Sequence, residues 1–230
     1  MKRWVIMWGI MFITYGVFGQ LFRPWVAVFG NDNLSNGFNF HYELQYRSHG
    51  KLNQLDQFFV RSGIGYSFSD ETQNILLGYG YFYQKDEYCY TTEVPEDERT
   101  EFVLQEHRVF QQYIMKHQLK RLLINHRYRF EQRFASATVD MRLRYYLSGY
   151  LPLNDKKVEK GTFFLGAYNE LFMHVKGNYF DRNRSYFSIG YAATDYFKIE
   201  LGVMRQTLQG NRSNIFQISV FNNLDFKIHH

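Results

Sequence analysis

Between Phe38 and Arg47 apolar and polar residues alternate one for one: Phe38, Phe40, Tyr42, Leu44 and Tyr46 against Asn39, His41, Glu43, Gln45 and Arg47. Successive side chains of an extended chain point to opposite faces, so strict alternation marks a strand with one apolar and one polar side. The pattern recurs. Phe58, Val60, Ile64, Tyr66 and Phe68 oppose Arg61, Gly63, Gly65 and Ser67, and Ile75, Leu77, Tyr79, Tyr81 and Tyr83 oppose Leu76, Gly78 and Gly80. Leu122, Ile124, His126, Tyr128, Phe130 and Phe134 oppose Asn125, Arg127, Arg129, Glu131 and Arg133, while Val139, Met141, Leu143, Tyr145 and Leu147 oppose Asp140, Arg142, Arg144 and Tyr146. Later runs repeat it around Phe187–Tyr191 and Phe197–Val203. No segment after the N-terminal apolar run has a helical period. The expected class is all-β, with strands near 22–30, 36–48, 57–68, 73–84, 101–115, 120–134, 138–151, 161–172, 183–194, 196–207 and 213–226. Turn residues such as Gly30-Asn31-Asp32-Asn33, Ser69-Asp70-Glu71-Thr72 and Gln209-Gly210-Asn211 separate them. Two longer connections stand out, 85–100 and 173–183.

Alternation does not say which face is inside. A soluble barrel or sandwich buries the apolar row; a membrane barrel turns it toward lipid and encloses the polar one. Three features favour the second arrangement. Most lysines lie in turns or at strand ends (Lys51, Lys85, Lys116, Lys156, Lys157, Lys160, Lys176), whereas arginine occupies strand interiors. A water-facing row would use Lys freely, while a confined interior favours planar, multidentate Arg paired with carboxylates. Glycines sit among those arginines (Gly63, Gly65, Gly78, Gly80, Gly190, Gly202), as expected where long side chains must pass close to the backbone. Several strands also exceed the roughly 9–11 residues that a tilted strand needs to cross a bilayer. The expected fold is an antiparallel up-and-down transmembrane β-barrel of ten to twelve strands. Single-chain bacterial barrels have even strand numbers, so segment 22–30 is either an unusual stave or the sign of a missed strand. Placing 85–100 and 173–183 on the outer side puts the short turns near 69–72, 116–120 and 194–196 on the periplasmic side.

The N-terminus supports export. Lys2 and Arg3 precede an uncharged apolar run from Trp4 to Phe18, and Val17-Phe18-Gly19 offers a cleavage site, the grammar of a secretory signal peptide. Fifteen apolar residues fall short of the roughly 20 that span a membrane as a helix. Residues 1–19 are therefore read as a cleaved signal and 20–230 as one outer-membrane barrel domain. Composition agrees with the barrel and excludes other classes. The chain is 45% hydrophobic and 20% aromatic, with one Cys and three Pro. It is neither disordered nor disulfide-stapled, and its negative mean hydropathy excludes a bundle of membrane helices. The net charge of +5 falls to +3 without Lys2 and Arg3 and is spread along the chain, so no nucleic-acid partner is expected.

The candidate site is the polar row itself. Early strands contribute Glu43, Arg47 and Arg61, and the middle of the chain adds Glu106, Arg108, Arg127, Arg129, Glu131 and Arg133. Asp140, Arg142, Arg144, Glu170, Arg184, Lys198 and Glu200 complete it, ten bases against six acids. Buried charges are tolerable only when paired, so the expected arrangement is an ion-pair network filling the lumen. The surplus of four positive charges alternatively suggests an Arg ring guiding anions through a small pore. Catalysis finds little support. His107 and His126 fall on the apolar face without a nearby Ser, and no Gly-x-Ser-x-Gly elbow exists. Glu131 between Arg129 and Arg133 would be held ionised, the wrong state for a general acid. The terminal pair His229-His230 lacks a third metal ligand, and Cys89 between Tyr88 and Tyr90 reads as a loop thiol. No cofactor or metal is expected. Tyr88, Tyr90, Tyr179 and Phe180 place aromatics in the two long loops, suited to a partner, a glycan or a membrane-interface girdle.

An ordered series of motifs carries a family resemblance: Glu106-His107-Arg108 with Gln111-Gln112, then His126 to Phe134, then Arg142-Leu143-Arg144-Tyr145, Tyr168-Asn169-Glu170 and Phe180-Asp181-Arg182-Asn183-Arg184. Together they resemble domain-of-unknown-function family 2490, Bacteroidetes-type exported proteins. The resemblance implies an outer-membrane β-barrel in a Gram-negative cell and brings no activity, substrate or catalytic residue. The expectation is a non-enzymatic structural or interaction barrel, or small pore, in contact with outer-membrane lipid and with an outer-membrane or periplasmic protein as its possible partner. The alternatives are a lipid-modifying outer-membrane enzyme and a secreted soluble β-barrel that binds a small apolar ligand.

Overall fold

A computed structural model describes residues 23–48, 55–68, 71–86, 102–135 and 138–226. The signal segment, Cys89 with Tyr88 and Tyr90, and His229-His230 lie outside the described residues. Eleven strands follow in order: β1 (Arg23–Asn33), β2 (Phe38–Ser48), β3 (Leu55–Phe68), β4 (Gln73–Asp86), β5 (Phe102–Leu119), β6 (Leu122–Ala135), β7 (Thr138–Pro152), β8 (Phe163–His174), β9 (Phe180–Ala192), β10 (Phe197–Leu208) and β11 (Asn211–Asn222). Each pairs antiparallel with its sequence neighbour, and β1 closes the barrel by pairing β11 in parallel.

The parallel seam resolves the odd strand. Ten antiparallel steps lead from β1 to β11 and leave both pointing to the same mouth, so closure between them must be parallel. Segment 22–30 is thus a full stave, extended to Asn33 and bonded on both edges, with Trp25 opposite Gln217 on one side and Arg47 on the other. The up-and-down antiparallel expectation holds for every pair except this one.

The second long connection is corrected. The β8–β9 link spans only 175–179, because Met173 pairs Phe180 and the His174 amide donates to the Tyr179 carbonyl at 2.9 Å. Phe180 is therefore a strand residue, and only Tyr179 of that pair sits in a loop, 70% exposed. The longer described link is 153–162, where Arg121 donates to the carbonyls of Pro152, Leu153 and Asp155 and Asn154 bonds the backbone of Gly161 and Phe163. The β5–β6 connection is a two-residue turn with Lys120 at φ 54°.

The alternating rows separate cleanly. Leu77, Val139 and Phe187 are 60%, 60% and 53% exposed, whereas Arg129, Glu131 and Glu170 are 2%, 0% and 3%. Large apolar side chains face outward on every strand from β2 to β10, including Phe40, Leu44, Ile64, Ile75, Met141, Leu151, Ile189, Leu201 and Val203. Several inward glycines make room for rings. A Cβ on Gly78 would lie 2.2 Å from Phe110, and on Gly190 or Gly202 it would lie 2.3 Å from Phe164 or Tyr186. At these three positions the closely approaching long side chain is an aromatic ring.

Candidate functional site

The inward rows enclose a cavity of about 530 Å³ whose lining draws on every strand. All fifteen charged residues of the expected row from Glu43 to Glu200, together with Lys198, lie on these inward rows. Their pairing has a centre. Glu131 on β6 accepts from Arg142 and Arg144 at 2.6 Å each, with Arg129 at 3.6 Å and Arg61 at 3.7 Å. Arg61 continues to Glu43 at 2.6 Å, and Arg144 continues to Glu170 at 2.6 Å, which also accepts from Arg127 at 2.7 Å. A second chain runs toward one mouth, where Glu106 is held by Arg108 and Arg133, and Arg133 reaches Asp140 at 3.0 Å. His174 caps it with a 3.2 Å contact to Asp140.

The geometry follows from cross-strand register. Glu43 and Arg61 are direct partners across β2 and β3, and Glu131 with Arg142 and Arg133 with Asp140 across β6 and β7; where bases face each other, Arg108 with Arg133 and Arg129 with Arg144, Glu106 and Glu131 lie between them one step along the row. Side chains directly opposite on one face are within contact distance, which converts sequence order into ion pairs.

Two features were hidden in the sequence. Asp181 and Arg182 both enter the network, Asp181 accepting from Arg142 at 2.9 Å and from Arg182 at 3.0 Å. Strict alternation would put one of these neighbours outside. A β-bulge intervenes: Phe172 pairs Arg182 and Met173 pairs Phe180, leaving Asp181 as the extra residue. A bulge breaks the parity of a strand and re-aims its side chains. The second feature is an aromatic lattice. Arg61 and Arg129 lie 5.0 and 4.6 Å from the Phe110 ring, Arg108 lies 4.6 Å from Phe82, and Arg142, Arg144, Arg182 and Arg184 surround Phe172 at 4.3–5.8 Å. Desolvated guanidinium groups gain up to about 2 kcal/mol over a ring face, and the rings also fill the space between ion pairs. The lumen is built from alternating charge pairs and stacked rings.

On the outer surface, His126 meets the Tyr145 hydroxyl at 2.9 Å and His107 bonds the Tyr79 hydroxyl. Both histidines belong to aromatic clusters, with His117 edge-on to His126 and Tyr81 beside His107. Outward amides pair with one another, Gln111 with Gln132 and Asn169 with Asn183 and Ser185. Among the described residues no group of three or more His, Cys, Asp and Glu is arranged to hold a metal ion.

A family model described as Protein of unknown function (DUF2490) matches residues 22–217. Comparisons with curated proteins and with solved structures give no match.

Proposed function

The chain belongs to the DUF2490 family, and from its geometry we propose that it is a non-enzymatic outer-membrane barrel, exported by its N-terminal signal and seated in lipid by its apolar exterior. One observation carries the reading: a charged, ion-paired interior inside a coat of exposed Leu, Ile, Val, Phe and Tyr on strand after strand. A water-soluble monomer rarely exposes a contiguous apolar patch beyond a few hundred Å². Hydrocarbon also demands that every backbone group be paired, and a closed barrel meets that demand because it has no edge strand. The paired outer amides, Asn169 with Asn183 and Gln111 with Gln132, satisfy their own polar groups on that surface.

The interior supports a structural or interaction role over catalysis. Glu43, Glu106, Glu131, Asp140, Glu170 and Asp181 are tied to guanidinium groups, Glu200 accepts from the Ser188 hydroxyl at 3.1 Å, and the outward histidines are bonded to tyrosine. The partners are outer-membrane lipid and, at the mouths, an outer-membrane or periplasmic protein. Cell fractionation tests the assignment. The mature protein should sediment with outer membranes, resist a carbonate wash and require detergent for release; recovery in the soluble periplasm would sink it.

A further inference from the structure

The inward arginines divide unevenly. Arg61, Arg108, Arg127, Arg129, Arg133, Arg142, Arg144 and Arg182 each have a carboxylate within 4 Å. Arg47 and Arg184 have none among the described residues, although they are only 7% and 8% exposed. Both stand over the same ring, Trp25, at 4.0 and 5.1 Å from its centroid. Neutral amides are their hydrogen-bond partners: Arg47 donates to Gln45 and Gln57, and Arg184 donates from Nε to Gln206 at 2.8 Å. Among the described residues Arg184 has no hydrogen-bond partner beyond Gln206, so neither Nη atom has an acceptor there, and Arg184, Arg47 and Trp25 all line the 530 Å³ cavity.

A buried guanidinium costs several kcal/mol to desolvate unless a negative partner offsets it. Among the described residues eight of these arginines have that partner within 4 Å and the two that share one ring and one cavity wall do not; Glu170, which faces Arg184 across β8 and β9, is engaged by Arg127 and Arg144. We propose that this wall is a binding site for an oxyanion, a carboxylate or phosphate group of a small ligand, held by the two Nη groups of Arg184 with Arg47 as a second positive charge. The planar fork of arginine suits such a group and can grip it with two parallel hydrogen bonds. The inference is independent of whether the barrel sits in a bilayer.

Trp25 provides the readout. The other two tryptophans, Trp4 and Trp8, lie in the segment read as the cleaved signal, so in the mature protein Trp25 is the sole indole and its emission reports on the site directly. Purified protein in detergent is titrated with sodium phosphate and, in a separate arm, with sodium acetate, at ionic strength held constant with sodium chloride. A saturable change in Trp25 emission is expected with at least one anion, and the preferred arm identifies the head group. Arg184→Gln should weaken apparent affinity by at least ~10-fold, since both charge-assisted hydrogen bonds of the fork are lost and one alone is worth about that much. Arg47→Gln should weaken it less, and Arg205→Gln, on the outer face of β10, should leave it unchanged. Gln206→Glu supplies the missing carboxylate internally. It should abolish the response while raising the unfolding midpoint, which keeps the test decisive if Arg184→Gln does not fold. Emission unmoved by both anions, or a response that persists in Gln206→Glu, would overturn the site.

Discussion

Replacing Glu131 by Gln tests whether the lumen is a network or a set of independent pairs. The side chain is fully buried, and four guanidinium groups converge on it, two at 2.6 Å and two near 3.6 Å. Gln keeps the shape but loses the charge and one acceptor site. Arg61, Arg142 and Arg144 each retain a second carboxylate, in Glu43, Asp181 and Glu170. Arg129 retains only the amide oxygen of Gln112. Two close charge-assisted bonds at about 1.5–3 kcal/mol each are weakened, and one cation is stranded without a carboxylate. The expected loss is about 3–5 kcal/mol, the range for breaking a buried pair from one side. Urea unfolding of the detergent-solubilised barrel, with the denaturant slope unchanged, reads this directly. The double variant Glu131→Gln/Arg129→Gln removes the stranded charge with its partner, and should recover about 1–2 kcal/mol relative to the sum of the singles. A loss below about 1 kcal/mol, or strict additivity in the double variant, would refute the shared-centre argument.

Gly78→Ala should destabilise by about 1–3 kcal/mol through overlap with the Phe110 ring, whereas Gly80→Ala, whose nearest new contact is the Val60 carbonyl at 3.3 Å and needs a shift of only a few tenths of an ångström, should cost clearly less in the same unfolding assay. Leu201→Arg, on the outer face at mid-strand, should cost about 2–4 kcal/mol and reduce insertion into vesicles if that face meets hydrocarbon; unchanged insertion would count against the lipid-facing reading. Ile215→Ala removes a fully buried side chain packed with Trp25, Tyr186 and Met204, and should cost about 2–5 kcal/mol. Ile218→Ala, one face over on the same strand, should cost clearly less.

The strand plan was legible because its signal is local. A period of two survives in β2, β4, β6, β7 and β10 over whole strands, and their expected limits differ from the observed ones by only a few residues. Parity then places Arg127, Arg129, Glu131 and Arg142 on one side without knowledge of tertiary contacts. What stayed hidden depends on neighbours. Phe59 and Phe82 lie inside the continuous apolar stretches Phe58-Phe59-Val60 and Tyr81-Phe82-Tyr83, and Phe110 follows directly on Val109, so both faces look alike there and the sequence does not announce an inward ring. The Asp181 bulge comes from a mismatch between β8 and β9 that exists only once they pair. Closure by β1 in parallel is likewise a property of the complete ring of strands, since β1 and β11 are separated by almost the whole chain.

That seam gives the charged interior a second consequence. Hairpin turns fix the register of antiparallel neighbours, but no turn joins β1 to β11, so their register rests on what the two faces carry. A slip of one residue would turn Trp25, Ala27 and Phe29 outward together and bring Val26 and Val28 inside, against Gln217 and Ser219. It would also remove Trp25 from beneath Arg47 and Arg184. Had the interior been filled with Leu and Val like the exterior, the slipped and correct pairings would bury similar surfaces and differ little in energy. With guanidinium groups and carboxylates inside, a slip elsewhere in the wall turns charges onto the apolar outer face, at about 2–4 kcal/mol for each basic residue near the midplane if that face meets hydrocarbon. An ion-paired lumen adds little net stability over an apolar one. It does separate the correct closure from its neighbours by many such increments, and a parallel seam without a turn is where that discrimination matters most.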